Sequence, residues 1–134
     1  MKPITEAWMN SAYDDIRAME QMLDLPDLTN IVAFHAQQAI EKTFKALIEE
    51  QEMNFARTHS LLRLSALVQP FYDLVQDMNM LEKLDSVYTE ARYPDEMGLL
   101  PLGKPSLDES KIFYKFSVQI WKQAKAELEI TPNS

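Results

Sequence analysis

Residues 28–50 read LTNIVAFHAQQAIEKTFKALIEE, and their periodicity decides the fold. Ala33, Ala36, Ile40, Phe44, Leu47 and Ile48 recur at spacings of three and four, the period of a helix with one buried face. The other side carries His35, Gln38, Lys42, Lys45 and Glu49 at alternating spacings of three and four. A segment this long with that pattern is an amphipathic helix from about Leu28 to Glu50. The same pattern extends in both directions. Between Thr5 and Leu23 an apolar stripe of Trp8, Met9, Ala12, Ile16, Met19 and Leu23 opposes Asn10, Asp14, Arg17 and Gln21, and Leu25-Pro26-Asp27 ends it.

Downstream, residues 51–57 form a polar connection, and Thr58-His59-Ser60 opens a short helix carrying Leu61, Leu64 and Leu67 before Pro70. A fourth helix runs from about Asp77 to Arg92 with Leu81, Leu84, Val87, Tyr88 and Ala91 inward. Pro94 stops it, because a residue before proline avoids helical dihedrals. Residues 94–110 hold three of the seven prolines and both glycines, which predicts a long loop. Within it Ser106-Leu107-Asp108-Glu109 has the form of a capping box, so a last helix starts at Leu107 and reaches about Glu129. No strand pattern competes. The expected fold is all-α: an antiparallel up-down bundle of four long helices plus a short one, forming one domain over residues 1–134.

Composition narrows the function. With 134 residues and 46% hydrophobic content the chain supports a single core and is not disordered. Two glycines exclude a Rossmann fingerprint or a P-loop, so any nucleotide must be held by side chains on helices. The net charge of −8 argues against indiscriminate coating of nucleic acid. That total is uneven: residues 111–126 carry Lys111, Lys115, Lys122 and Lys125 and no acid, leaving −12 on the remainder. Such a basic ridge suits RNA, an acidic partner, or simple solubility. There is no cysteine, hence no disulfide, thiolate metal site or cysteine nucleophile. No signal pattern or long apolar run is present, and an intracellular, cytoplasmic protein without a membrane partner is the expectation.

Polar chemistry has three candidate locations. The stripe with Gln38, Lys42 and Lys45 offers two cations and a directional amide to a phosphate or carboxylate, or is a solvated face with Lys45 and Glu49 paired. His59 stands at a helix start, where unpaired backbone N–H groups favour an anion, or it is a cap or packing wedge. Arg92 and Tyr93 end the fourth helix, with Arg92 as a phosphate fork or a structural partner of Asp85. Neither histidine has a glutamate three residues before it, which removes the di-iron pattern, and no His-Glu-x-x-His or calcium-loop motif occurs. No metal or cofactor is implied, and no catalytic residue is assigned.

The run Ala33-Phe34-His35-Ala36-Gln37-Gln38-Ala39-Ile40-Glu41-Lys42 leading into Lys45-Ala46-Leu47-Ile48, then Thr58-His59-Ser60-Leu61, then Tyr88-Thr89-Glu90-Ala91-Arg92-Tyr93-Pro94-Asp95, resembles the HEPN (higher eukaryotes and prokaryotes nucleotide-binding) domain family over about residues 6–125. The resemblance implies a helical bundle that commonly forms a homodimer. It also implies an accessory or nucleotide-binding role beside a minimal nucleotidyltransferase, in a two-component or toxin–antitoxin system. RNA-cleaving members carry an arginine followed, after four to six residues, by a histidine. No histidine follows Arg92, so this chain departs from the ribonuclease signature. The resemblance makes Gln38, Lys42, Lys45, His59, Arg92 and Tyr93 one expected nucleotide or phosphate site, covered by the 94–110 loop. The alternative is an interaction module that binds itself and a partner without a ligand.

Overall fold

The computed structural model describes residues 1–53, 57–74, 77–92 and 104–130, with the side chains of 89–92 and 130 outside that description. Among the described residues there are five α-helices and one 3-10 turn: α1 (Pro3–Met22), the turn Pro26–Leu28, α2 (Thr29–Glu50), α3 (Leu61–Val68), α4 (Met78–Arg92) and α5 (Leu107–Ile130).

Each boundary has a local cause. Pro3 takes the first-turn position of α1, where a missing N–H costs nothing. The end of α2 closes in a Schellman arrangement: Glu52 N–H donates to Glu49 O and Met53 N–H to Ile48 O. Glu52 occupies the left-handed position with φ 55°. Ser60 caps α3 by accepting from Arg63 N–H. Asp77 Oδ1 accepts from Met80 N–H at the start of α4. The capping box of α5 is reciprocal: Glu109 N–H donates to Ser106 Oγ, and Ser106 N–H to Glu109 Oε1. Leu107–Ser110 therefore already belong to the helix, and the connection from α4 ends at Ser106.

Contacts between distant residues set the topology. Lys2 N–H donates to Glu50 Oε1, so α1 begins where α2 ends and the two run antiparallel. Trp121 Nε1–H donates to Met9 O and Tyr114 OH to Glu20, which makes α5 antiparallel to α1. Tyr72, shortly before α4, accepts a hydrogen bond from Gln51 at the end of α2, and Tyr88 near the end of α4 packs on Phe34 near the start of α2, so α4 opposes α2. Helix α2 is central, packed by α1, α3, α4 and α5. The predicted apolar arc of α2 is buried throughout, at 0–2% exposure for Ala33, Ala36, Ile40, Phe44, Leu47 and Ile48. Met9, Ile16, Met19, Leu61, Leu64, Leu81, Leu84, Phe113, Phe116 and Ile120 belong to the same core. Trp8, Leu23, Leu67 and Val87 are packed against that core and remain partly exposed. No helix among the described residues is long and apolar enough to cross a membrane.

Candidate functional site

Two buried carboxylates organise the polar face of α2, and neither stood out in the sequence. Glu41 is 4% exposed. Its Oε2 accepts Lys45 Nζ at 2.8 Å and its Oε1 accepts Gln37 Nε2 at 3.1 Å. His59 Nδ1 lies 3.2 Å from Oε1 and 3.1 Å from Oε2. A carboxylate only accepts, so Nδ1 carries the proton in this contact. Gln37 ties the group together: its amide also donates to His59 O at 3.2 Å, and its Oε1 accepts Gln38 Nε2 at 2.7 Å. Gln38, Lys45 and His59 thus share one connected network around Glu41.

Lys42 belongs to a second network. Asp15 of α1, also buried, accepts Lys42 Nζ at 2.8 Å and His35 Nδ1 at 2.7 Å. An aromatic row joins the two networks. The His59 ring stacks on Tyr88 with centroids 4.8 Å apart, Tyr88 on Phe34 at 6.3 Å, and Phe34 meets His35 edge-on at 5.9 Å. Trp8 of α1 sits under Lys45, with Nζ 5.5 Å from the ring centroid. The face is therefore bordered by α1 on one side and by the start of α3 and the end of α4 on the other.

Helix α4 fixes the position of His59 twice over. Asp85 accepts Leu61 N–H at 2.6 Å, Leu62 N–H at 3.3 Å and Ser60 Oγ at 3.1 Å, holding the first turn of α3 against α4. Tyr88, one turn further along α4, supplies the ring beneath the imidazole. The negative charge of Asp85 also complements the positive end of the α3 dipole.

Lys45 pairs with Glu41 one turn before it, rather than with Glu49 one turn after. The ion pair runs toward the buried carboxylate because Glu41 lies on the packed side of α2, where burial strengthens the attraction. Arg92 ends α4 as expected, with its side chain outside the described residues. Tyr93 and the 93–103 part of the expected covering loop also lie outside them. Within the described part of that connection, Lys104 Nζ donates to Asp27 O at 2.8 Å, which anchors the approach to α5 beside the 3-10 turn. Among the described residues no group of three or more histidines or carboxylates is arranged to hold a metal ion.

The lysine ridge of α5 lies on a different surface. Lys111 pairs with Asp24 at 3.3 Å, and Lys125 Nζ stands 5.3 Å from the Trp121 ring. A shallow open depression of about 350 Å³ is lined by Tyr114, Lys115, Val118, Gln119, Lys122 and Gln123. Burial pushes the Tyr114 hydroxyl up to about 12, and its hydrogen bond to Glu20 adds to the shift, so it stays protonated as a donor.

The family model for the HEPN domain matches residues 5–126. The chain belongs to the HEPN domain family. Among solved structures, this HEPN protein is similar to TT1696 from Thermus thermophilus, with a TM-score of 0.77 and 25% identity over 94% of this chain and 99% of that one. It is also similar to ST0689, an archaeal HEPN homologue, with a TM-score of 0.69 and 22% identity over 96% of this chain and 99% of that one. The likeness to ST0689 concerns the fold. A search of the curated proteins finds no match. The HEPN bundle explains why α2 is both the most buried helix and the one whose remaining face carries the polar networks: it is packed on every other side.

Proposed function

We propose that this HEPN domain protein binds a nucleotide on the open face of α2 and serves as the accessory partner of a minimal nucleotidyltransferase, in a two-component or toxin–antitoxin-type pair. One observation carries the reading. Two ammonium groups, an amide and two imidazoles line a single helical face, each oriented by a buried acceptor and none closed off from solvent.

The carboxylates do not disqualify the lysines. An ammonium has three N–H donors, and a single carboxylate contact leaves others for a phosphate oxygen. Asp15 and Glu41 neutralise the resting charge of Lys42 and Lys45, so a polyphosphate gains over a single small anion by engaging both at once. Gln38 adds a directional contact, and the reading also takes Arg92, the last residue of α4, and its sequence neighbour Tyr93 as ligand residues. Isothermal titration of ATP and GTP into the full chain tests the site. Saturable heat that weakens in Lys45→Met and Arg92→Ala supports it, and the absence of saturable heat with either nucleotide removes it.

The α5 depression favours a second reading, a module that binds protein without a ligand. Its lysine rim, Lys115 and Lys122, suits an acidic partner. Co-purification of a stoichiometric partner, with no nucleotide bound by the isolated protein, selects this alternative.

A further inference from the structure

The His59 ring is the most strictly positioned exposed group on the α2 face. Its Nδ1 is fixed on both oxygens of Glu41, its carbonyl is held by Gln37, and the next residue is tied to Asp85. One face of the imidazole rests on Tyr88 at an interplanar angle of 27°, and Phe34 lies behind Tyr88 at 10°. Despite these restraints the side chain is 52% exposed. A flat ring held at its edge by Glu41, stacked on Tyr88 and about half exposed is a ready surface for another planar ring. Little conformational freedom remains to be lost when that ring arrives.

The other aromatic groups near cations are differently placed. Trp121 has Lys125 over its ring, Tyr13 packed at 5.1 Å, and its N–H held by Met9 O. Trp8 is covered by Lys45. At His59 the adjoining cation lies beside the ring instead. Lys45 Nζ and His59 Nδ1 share Glu41 Oε2, so ammonium and imidazole are neighbours around a single atom. A planar base with a phosphate chain attached meets both requirements together.

We infer that His59 is the base-stacking platform of the α2 site, and that the ligand class is a nucleobase-bearing polyphosphate rather than a bare phosphoanion. This deepens the nucleotide reading and rests on it. Tyr88 and Phe34 support the platform from below, and Glu41 is its positioning residue. Base–aromatic stacking of this kind gives roughly tenfold in affinity.

The test compares ATP with inorganic triphosphate, which has the same anionic chain and no base, against the full-length protein. The quenching of Trp8, which lies under Lys45, and isothermal titration are the two readouts. Wild type binds ATP about tenfold more tightly than triphosphate. His59→Ala lowers ATP affinity to the triphosphate level and leaves triphosphate binding in place, whereas His59→Phe, which keeps a planar ring, retains the preference. Equal affinities in wild type overturn the inference while leaving a phosphate site. So does a preference that survives in His59→Ala or is lost in His59→Phe. No binding of either compound removes the nucleotide reading and this inference with it.

Discussion

His59 Nδ1 lies 3.1 Å from Glu41 Oε2, and that contact joins the start of α3 to the centre of α2. Glu41 is 4% exposed and gathers donors from Gln37, Lys45 and His59. A carboxylate in that position is stable because its lone pairs are occupied, and removing it leaves the Gln37, Lys45 and His59 donors without their acceptor.

Glu41→Ala is therefore expected to destabilise the fold by about 3 kcal/mol, the scale for deleting one partner of a buried charged network. Glu41→Gln keeps an acceptor and costs less. Urea unfolding of both variants measures the difference, and a neutral Glu41→Ala contradicts the role assigned to this residue.

Asp15→Asn moves stability and affinity in opposite directions. It weakens the hold on Lys42 and His35, costing about 1–2 kcal/mol. It also releases the Lys42 ammonium from its counter-charge, so ATP binds more tightly than in wild type. Thermal unfolding and a nucleotide titration on the same preparation give both numbers.

Asp85 caps α3 from another helix through Leu61 N–H, Leu62 N–H and Ser60 Oγ. Asp85→Ala exposes those donors and is expected to cost about 1–2 kcal/mol, with faster amide exchange at Leu61 and Leu62 than elsewhere in the core. Uniform acceleration across all helices would point instead to global destabilisation.

Glu52 holds a left-handed backbone conformation, φ 55°, that glycine adopts without penalty. Glu52→Gly loses the exposed ion pair to Lys2 at 2.6 Å, a contact of little net value, and relieves the backbone. A rise of a few degrees in the unfolding midpoint is expected, and a fall would show that the Lys2 contact outweighs the strain.

Acid sensitivity should be traceable to the joint between α1 and α2. Burial of the Glu50 carboxyl pushes its pKa up, but hydrogen bonds from Lys2 N–H and Thr5 Oγ, with the charges of the Met1 ammonium and Lys2, outweigh that and lower it overall. A folded-state value below the unfolded one stabilises the protein at neutral pH, and that contribution is lost as pH falls from the ordinary carboxyl range through the lowered value. The stability gap between wild type and Glu50→Gln is expected to be largest near neutrality and to shrink below about pH 4.

The helices were legible because apolar spacing, capping residues and prolines all act locally. The arc from Ala33 to Ile48 and the box at Ser106–Glu109 needed no knowledge of other elements. The stripe with Gln38, Lys42 and Lys45 was legible as a face, and its acceptors were not. Asp15 lies between Ala12 and Met19 on the apolar stripe of α1, and Gln37 and Glu41 fall in line with Ala33, Phe44 and Ile48. Polar residues at positions where the period calls for apolar ones were the available signal. Which donors they face depends on how α1, α3 and α4 pack on α2, and that is decided over separations of 18–27 residues. The role of Asp85 as a cap for α3 likewise joins residues 23–25 positions apart.

Amide chemical-shift mapping of the full chain on addition of ATP tests the central claim most directly. Perturbations concentrated at Phe34–Lys45, His59–Leu61 and Tyr88, absent in Lys45→Met, are the predicted result. Perturbations confined to Tyr114–Gln123 on α5, or none at saturating nucleotide, would contradict it.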